Sequence, residues 1–150
     1  MISHAILKFL DWLILFIQKL FFKETNVKDR VAVITGAGRG IGRSITEELL
    51  VRGVVAVLVD VNQSLLEQTA DELRSMFPES AIHTYVADIS DANKTSGTFS
   101  RIAAEVGPIE ILVNNAGVIF AHEFADLDNE SIAKTIHINL MSHFWVSFVI

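Results

Sequence analysis

The 150-residue sequence has no cysteine, two prolines and a single tyrosine. Without cysteine there is no disulfide scaffold and no thiolate-held zinc or iron–sulfur centre. That absence fits a reducing compartment and is equally compatible with the other side of a membrane. Histidine does not fill the gap: there are five, but no H-E-x-x-H occurs, and His137 and His143 stand six positions apart, so no metal site is expected. Basic side chains are the scarcer sign, 12 against 18 acids, for a formal net charge of −6. A general nucleic-acid binder needs a basic footprint, so that partner class is excluded. With 51% hydrophobic and 20% charged residues, the chain is neither a disordered tail nor a coiled coil. Its length allows one domain, and no internal repeat or low-complexity stretch is present.

Charge is unevenly spread. Residues 1–28 carry Lys8, Lys19, Lys23 and Lys28 against Asp11 and Glu24, a net of +2; residues 29–150 carry eight basic and sixteen acidic side chains, a net of −8. Residues 5–22 read AILKFLDWLILFIQKLFF, yet the uninterrupted apolar run covers only 12–17. Eighteen helical residues rise about 27 Å, near the ~30 Å hydrocarbon thickness of a bilayer. A span would hold Lys8 and Asp11 in or near the apolar layer, at roughly 2.5–3.5 kcal/mol each at the centre and less near an end. A helix lying in the interface avoids most of that cost. His4, Lys8, Asp11, Gln18 and Lys19 gather near one side at helical spacing, with Leu15 interrupting, and apolar side chains cover the rest. The expectation is therefore a hydrophobic membrane-anchor helix over 1–24, surface-bound or hairpin-like. A true span, a cleaved signal peptide and a soluble helix packed on the domain or a partner are the alternatives. The signal peptide lacks a small-x-small site, and the soluble helix would need a large partner for so much apolar surface.

Residues 25–29 form a short polar linker, and a domain over 30–150 follows. Residues 30–35 (RVAVIT) read as a strand, 36–42 as a glycine loop, and 41–52 as a helix with Ile45, Leu49 and Leu50 at inward spacing. Residues 54–60 (VVAVLVD) read as a buried strand ending in an acid. Asn62 is suited to cap the next helix, where Leu66, Ala70, Leu73 and Phe77 recur at helical spacing. A third strand covers 81–87. Asp91 or Asn93 opens a helix carrying Phe99, Ile102, Ala103 and Val106, stopped by Gly107-Pro108. A fourth strand covers 109–113, and Asp128 or Asn129 caps one last helix running to the C-terminus. Sequons at Asn62, Asn93 and Asn129 fall at helix starts, where asparagine is expected as a cap. Alternating strands and helices with continuous apolar strands predict an α/β fold, a doubly wound, Rossmann-like parallel sheet. The sequence stops inside the last helix with no cap, glycine or charge, so a piece of a longer enzyme, cut after the fourth strand, is expected.

The chemistry begins directly after the first strand, at Thr35-Gly36-Ala37-Gly38-Arg39-Gly40-Ile41-Gly42. Backbone without Cβ turns tightly and approaches a diphosphate closely, and the following helix N-terminus offers free N–H groups and a positive dipole. The spacing is Gly36-x-x-x-Gly40-x-Gly42, with Ile41 where a G-x-G-x-x-G motif would put its third glycine. Asp60 ends the second strand, 24 positions after Gly36. A carboxylate there accepts both adenosine ribose hydroxyls and repels a 2′-phosphate, favouring NAD; Arg39 could instead pair a 2′-phosphate and admit NADP. Asp88, at the end of the third strand, is placed to accept from an adenine amino group or to serve as a cap or turn acid.

Taken together, T-G-x-x-x-G-x-G after strand one, the acid after strand two, Asp88-Ile89 after strand three and Asn114-Asn115-Ala116-Gly117 after strand four resemble the short-chain dehydrogenase/reductase family over residues 30–150. The resemblance implies that Asn115, Ala116 and Gly117 border the cofactor ribose, that Asn114 ties the central strands, and that Asn139, 24 residues after Asn115, helps hold a water in a proton relay. It also implies a catalytic serine and a Tyr-x-x-x-Lys beyond residue 150. Tyr85, within a predicted strand, cannot be that tyrosine, so the 150 residues should bind NAD (NADP being the alternative) without turning over substrate. The leader resembles that of the retinol and 17-beta-hydroxysteroid dehydrogenase branch. This implies an enzyme at the endoplasmic reticulum membrane or lipid droplet, facing the cytosol, acting on a lipophilic alcohol or ketone and forming a homodimer at full length. A non-catalytic dinucleotide-binding or interaction module is the alternative.

Overall fold

Four short runs of aliphatic residues build one parallel sheet: β1 (Val31–Thr35), β2 (Val55–Asp60), β3 (Ile82–Val86) and β4 (Ile109–Val113). Their spatial order is β3-β2-β1-β4. Val33 lies opposite Val57 on one side and Leu112 on the other, and Val57 lies opposite His83. The computed structural model describes residues 8, 10, 12–14, 25–120 and 128–150. Helices α1 (Gly40–Val51), α2 (Gln63–Met76) and α3 (Ala92–Glu105) link successive strands. Parallel neighbours require such crossovers, so the doubly wound sheet expected from the alternation is the one observed.

The core is two layers, one on each sheet face, because side chains alternate along a strand. Ala32, Ile34, Ala56 and Leu58 point to one face, where Leu50 of α1 and Leu66, Ala70 and Leu73 of α2 cover them. Val31, Val33, Val57 and Val59 point to the other, beneath Phe99 and Ile102 of α3 and Val146 further on. Both faces being covered explains why the strands read as unbroken apolar runs. Some inward assignments differ. On α1 the buried residues are Gly42, Thr46 and Leu50, while Ile45 and Leu49 are half-buried; the start of α1 lies so close to the glycine loop that only small side chains fit. On α3, Ala103 is exposed and Thr95 is fully buried.

The last helix is not continuous. It comprises α4 (Asn129–Ile136), a π-helical turn (His137–Met141) and α5 (Ser142–Phe148). Wide turns of this kind occur mostly as single bulges inside α-helices, frequently at functional sites. Here the Asn139 side chain is drawn to the backbone of Val118, and Ser142 Oγ donates to the Ile138 carbonyl at 2.6 Å. Most of the expected anchor at 1–24 lies outside the described residues; Lys8, Leu10 and residues 12–14 are helical. Among the described residues no helix is long and apolar enough to cross a membrane.

Candidate functional site

From β1 the chain winds outward through β2 to β3, then crosses back to lay β4 on the other side of β1. Loops leaving the C-terminal ends of β1 and β4 therefore diverge, and a crevice opens between them. A cleft of about 460 Å³ occupies this position, bounded by the glycine loop, the ends of β2 and β3 and the segment after β4.

The glycine loop is shaped by close approaches. Gly36 has φ +66°, and a Cβ there would sit 2.8 Å from Ala116 Cα. A Cβ on Gly42 would collide with the Gly36 carbonyl oxygen and stand 2.7 Å from Asn115 Nδ2. Any larger residue at either place would push the loop off the β4 segment. One side chain of another element holds the loop: Thr69 Oγ1 of α2 donates to the Gly38 carbonyl at 2.7 Å. Within α1, Thr46 Oγ1 bonds back to the Gly42 carbonyl four residues earlier at 2.8 Å. Neither threonine was singled out from the sequence, where they read as ordinary helix residues.

The N-terminus of α1 has no side-chain cap: Arg39 occupies the cap position in extended conformation and no acid lies in the first turn. The first helical bond runs from Arg43 N–H to the Arg39 carbonyl at 3.4 Å. The preceding amides of Gly40 and Ile41 belong to residues lining the cleft. Uncapped amides at the positive end of a helix dipole are suited to an anion such as a diphosphate. Beside them stands Asp60, whose Oδ2 accepts from Gly38 N–H and whose Oδ1 accepts from Asn62 N–H, both at 2.9 Å. Each oxygen keeps a further lone pair for a diol. Asp88, which is exposed, spends Oδ1 on the Ser90 hydroxyl at 2.7 Å and the Ser90 amide at 3.0 Å. The Ser90 hydroxyl bond is the main cause holding its carboxyl below the ordinary aspartate range.

Of the residues expected at the cofactor, Gly36, Arg39, Gly40, Ile41, Asp60, Asp88, Ile89, Asn115, Ala116 and Gly117 line this one cleft; Asn62, Leu65, Val118 and Ile138 line it too and were not among those expected. Gly38, Gly42, Thr35 and Asn139 stand behind its wall. Thr35 is fully buried. Its hydroxyl donates to the Val113 carbonyl at 3.3 Å and accepts from the amides of Asn115 and Ala116, each at 3.1 Å. Asn115 Nδ2 returns bonds to the Thr35 and Gly36 carbonyls at 2.9 and 3.1 Å. The tie between the central strands is thus made by Asn115 and Thr35, and not by Asn114, whose Nδ2 donates instead to Ser147 Oγ at 3.1 Å. Asn139 accepts from Val118 N–H at 2.8 Å and donates to its carbonyl at 2.9 Å, which sets the course of the backbone after Gly117.

Tyr85 lies in β3, a strand as expected, and is held in the core. Its hydroxyl donates to Glu105 Oε2 at 2.7 Å, and Arg101 lies 5.4 Å from its ring centre. Burial, followed by the Glu105 contact, pushes its pKa up to about 12. Among the described residues no cluster of three metal-ligating side chains occurs.

Comparison with known proteins settles what frame this cleft belongs to. The sequence pattern of the short chain dehydrogenases matches residues 30–149. The chain belongs to the short-chain dehydrogenase family. Human 17-beta-hydroxysteroid dehydrogenase 13 is 35% identical over 125 residues, covering 83% of this chain and 41% of that protein. Retinol dehydrogenase 10-A of Danio rerio is 32% identical, covering 83% of this chain and 43% of that protein. The chain therefore spans about two fifths of the curated relatives it matches. Among solved structures, an NAD+-bound xylitol dehydrogenase superposes with a TM-score of 0.77 at 27% identity, covering 83% of this chain and 48% of that one. A metagenomic short-chain oxidoreductase in complex with NADP superposes at 0.75 with 25% identity, covering 83% and 56%.

Proposed function

We propose that the chain is the dinucleotide-binding part of an NAD(P)-dependent oxidoreductase acting on the alcohol or carbonyl of a lipophilic, retinoid- or steroid-like substrate. The observation that carries this reading is the uncapped start of α1 beside Asp60, in a cleft floored by close-packed glycines. The residues fit the cofactor: amides of Gly40 and Ile41 for the diphosphate, Asp60 for the adenosine ribose, and Ala116 and Gly117 beside the second ribose. The adenosine half then lies toward β2 and β3, and the nicotinamide half toward β4. Bound there, the nicotinamide ring would supply or accept the hydride. Asp60 favours NAD by repelling a 2′-phosphate, while Arg39, an exposed guanidinium at the cleft, is the group that would admit NADP. Asn139 contributes by fixing Val118, next to the reacting end, and its proposed share in holding a relay water rests on the family resemblance. In the same way the leader is assigned to a membrane or lipid-droplet surface of the endoplasmic reticulum, with the domain facing the cytosol, and the full-length enzyme to a homodimer.

A second reading, binding without turnover, is favoured for these 150 residues by Tyr85. The chain's one tyrosine is buried, bonded to Glu105 and raised to about 12, so it does not exchange a proton with a substrate near neutral pH. The test is a set of titrations. NAD should bind more tightly than NADP. Asp60→Asn should shift the NADP-to-NAD affinity ratio about tenfold toward NADP, and Arg39→Ala should shift it the other way. An unchanged ratio in both removes the assignment. The 150-residue chain should show no NAD-dependent alcohol oxidation; turnover would overturn the second reading. Deleting residues 1–22 should release the protein from membranes, and persistent pelleting of a folded, unaggregated domain would defeat the anchor assignment.

A further inference from the structure

Both loops that wall the cleft are fastened to α5. The Trp145 indole Nε1–H donates to the Ile89 carbonyl at 3.1 Å, and Ile89 lines the cleft at the β3 end. Two residues earlier, His143 Nε2 lies 3.3 Å from the Ala116 carbonyl, and Ala116 lines the cleft at the β4 end. A carbonyl only accepts, so Nε2 carries the proton of this bond. Val146, fully buried against the sheet, seats the helix between the two contacts. The Trp145 ring lines a separate apolar groove with Phe144, Phe148 and Val149. Its indole N–H therefore links that groove to the cleft wall.

We infer that Trp145 and His143 are positioning residues for the two halves of the bound dinucleotide, Trp145 setting the adenosine side through Ile89 and His143 the nicotinamide side through Ala116. This rests on the dinucleotide reading above. It goes beyond it by assigning each half of the ligand to a separate hydrogen bond from one helix. Removing one such bond weakens the half it supports by about threefold to tenfold.

The experiment titrates ADP, which lacks the second ribose, and NADH calorimetrically into the 150-residue chain and three variants. Trp145→Phe keeps an aromatic ring and removes the donor, and it should weaken ADP and NADH by the same factor. His143→Leu should weaken NADH while leaving ADP unchanged, and His143→Gln, which retains a donor, should recover most of the loss. A second measurement needs no change at the contacts. In a Trp12→Phe background Trp145 is the single tryptophan, and saturating ADP should shift its emission. Variants that bind both ligands like the parent, or equal losses for both ligands in His143→Leu without recovery in His143→Gln, overturn the inference. So does an unshifted Trp145 emission when calorimetry records binding. A folded parent chain that binds neither ligand would instead remove the dinucleotide reading itself.

Discussion

The N-termini of α1 and α3 lie in the same sheet architecture and are finished in opposite ways. At α3, Asp91 Oδ1 accepts from the amides of Asn93 and Lys94 at 3.0 and 3.1 Å; α2 and α4 are capped likewise by Asn62 and Asp128. At α1 the cap position holds Arg39, with no side-chain acceptor. A missing cap costs a helix about 1 kcal/mol. Where the chain needs only stability, it places a short polar side chain over the free amides. Where it forgoes one, the amides border a cleft, and a carboxylate cap would occupy the place that the proposed function gives to a diphosphate. On the proposed function, the difference separates an end finished for the fold from an end left open to a ligand.

The sharpest break of that contrast is Gly36→Val. A β-branched residue at φ +66° whose Cβ meets Ala116 Cα should cost about 2–5 kcal/mol in urea unfolding and abolish NADH binding. Arg39→Asp should turn α1 into a helix like α3. The melting temperature should rise, consistent with a gain of up to about 1 kcal/mol, while NADH affinity drops at least tenfold. If the melting temperature rises with affinity intact, the amides do not serve the ligand. The converse is Asp91→Ala: α3 should lose about 1 kcal/mol of stability with no change in NADH affinity. Tyr85 supplies a control with no effect at neutral pH. Its folded pKa, about 12, is raised above the ordinary value of 10.0, so its contribution to stability is intact below about pH 10 and is lost as pH rises toward about 12. Tyrosinate absorbance reads this one residue directly, and Tyr85→Phe should flatten the alkaline loss.

Much of the frame was legible because it depends on local rules. Unbroken aliphatic runs announce strands buried on both faces, and Asn62 and Asp91 announce helix starts. Gly36, Gly40, Asp60 and Asp88 at the cleft followed from where glycines and acids fall relative to strand ends, whereas Asn115, Ala116 and Gly117 came from the family resemblance. Contacts between distant segments were not legible. Thr69 looks like a neutral helix residue until the loop is seen resting on it, and Asn114 and Asn115 differ only in which way a strand end turns its side chains. The break in the last helix falls where Asn139 bonds Val118, 21 residues earlier, a contact that no periodicity encodes. The same holds for Trp145 and His143, whose partners are backbone carbonyls in other loops.

The most direct measurement is isothermal calorimetry of NADH against the folded 150-residue chain, run beside its Gly36→Val variant. The account predicts saturable binding of one NADH per chain, displaced by ADP-ribose and absent in the variant. Heat indistinguishable from dilution at saturating NADH, in a chain shown to be folded, would contradict it.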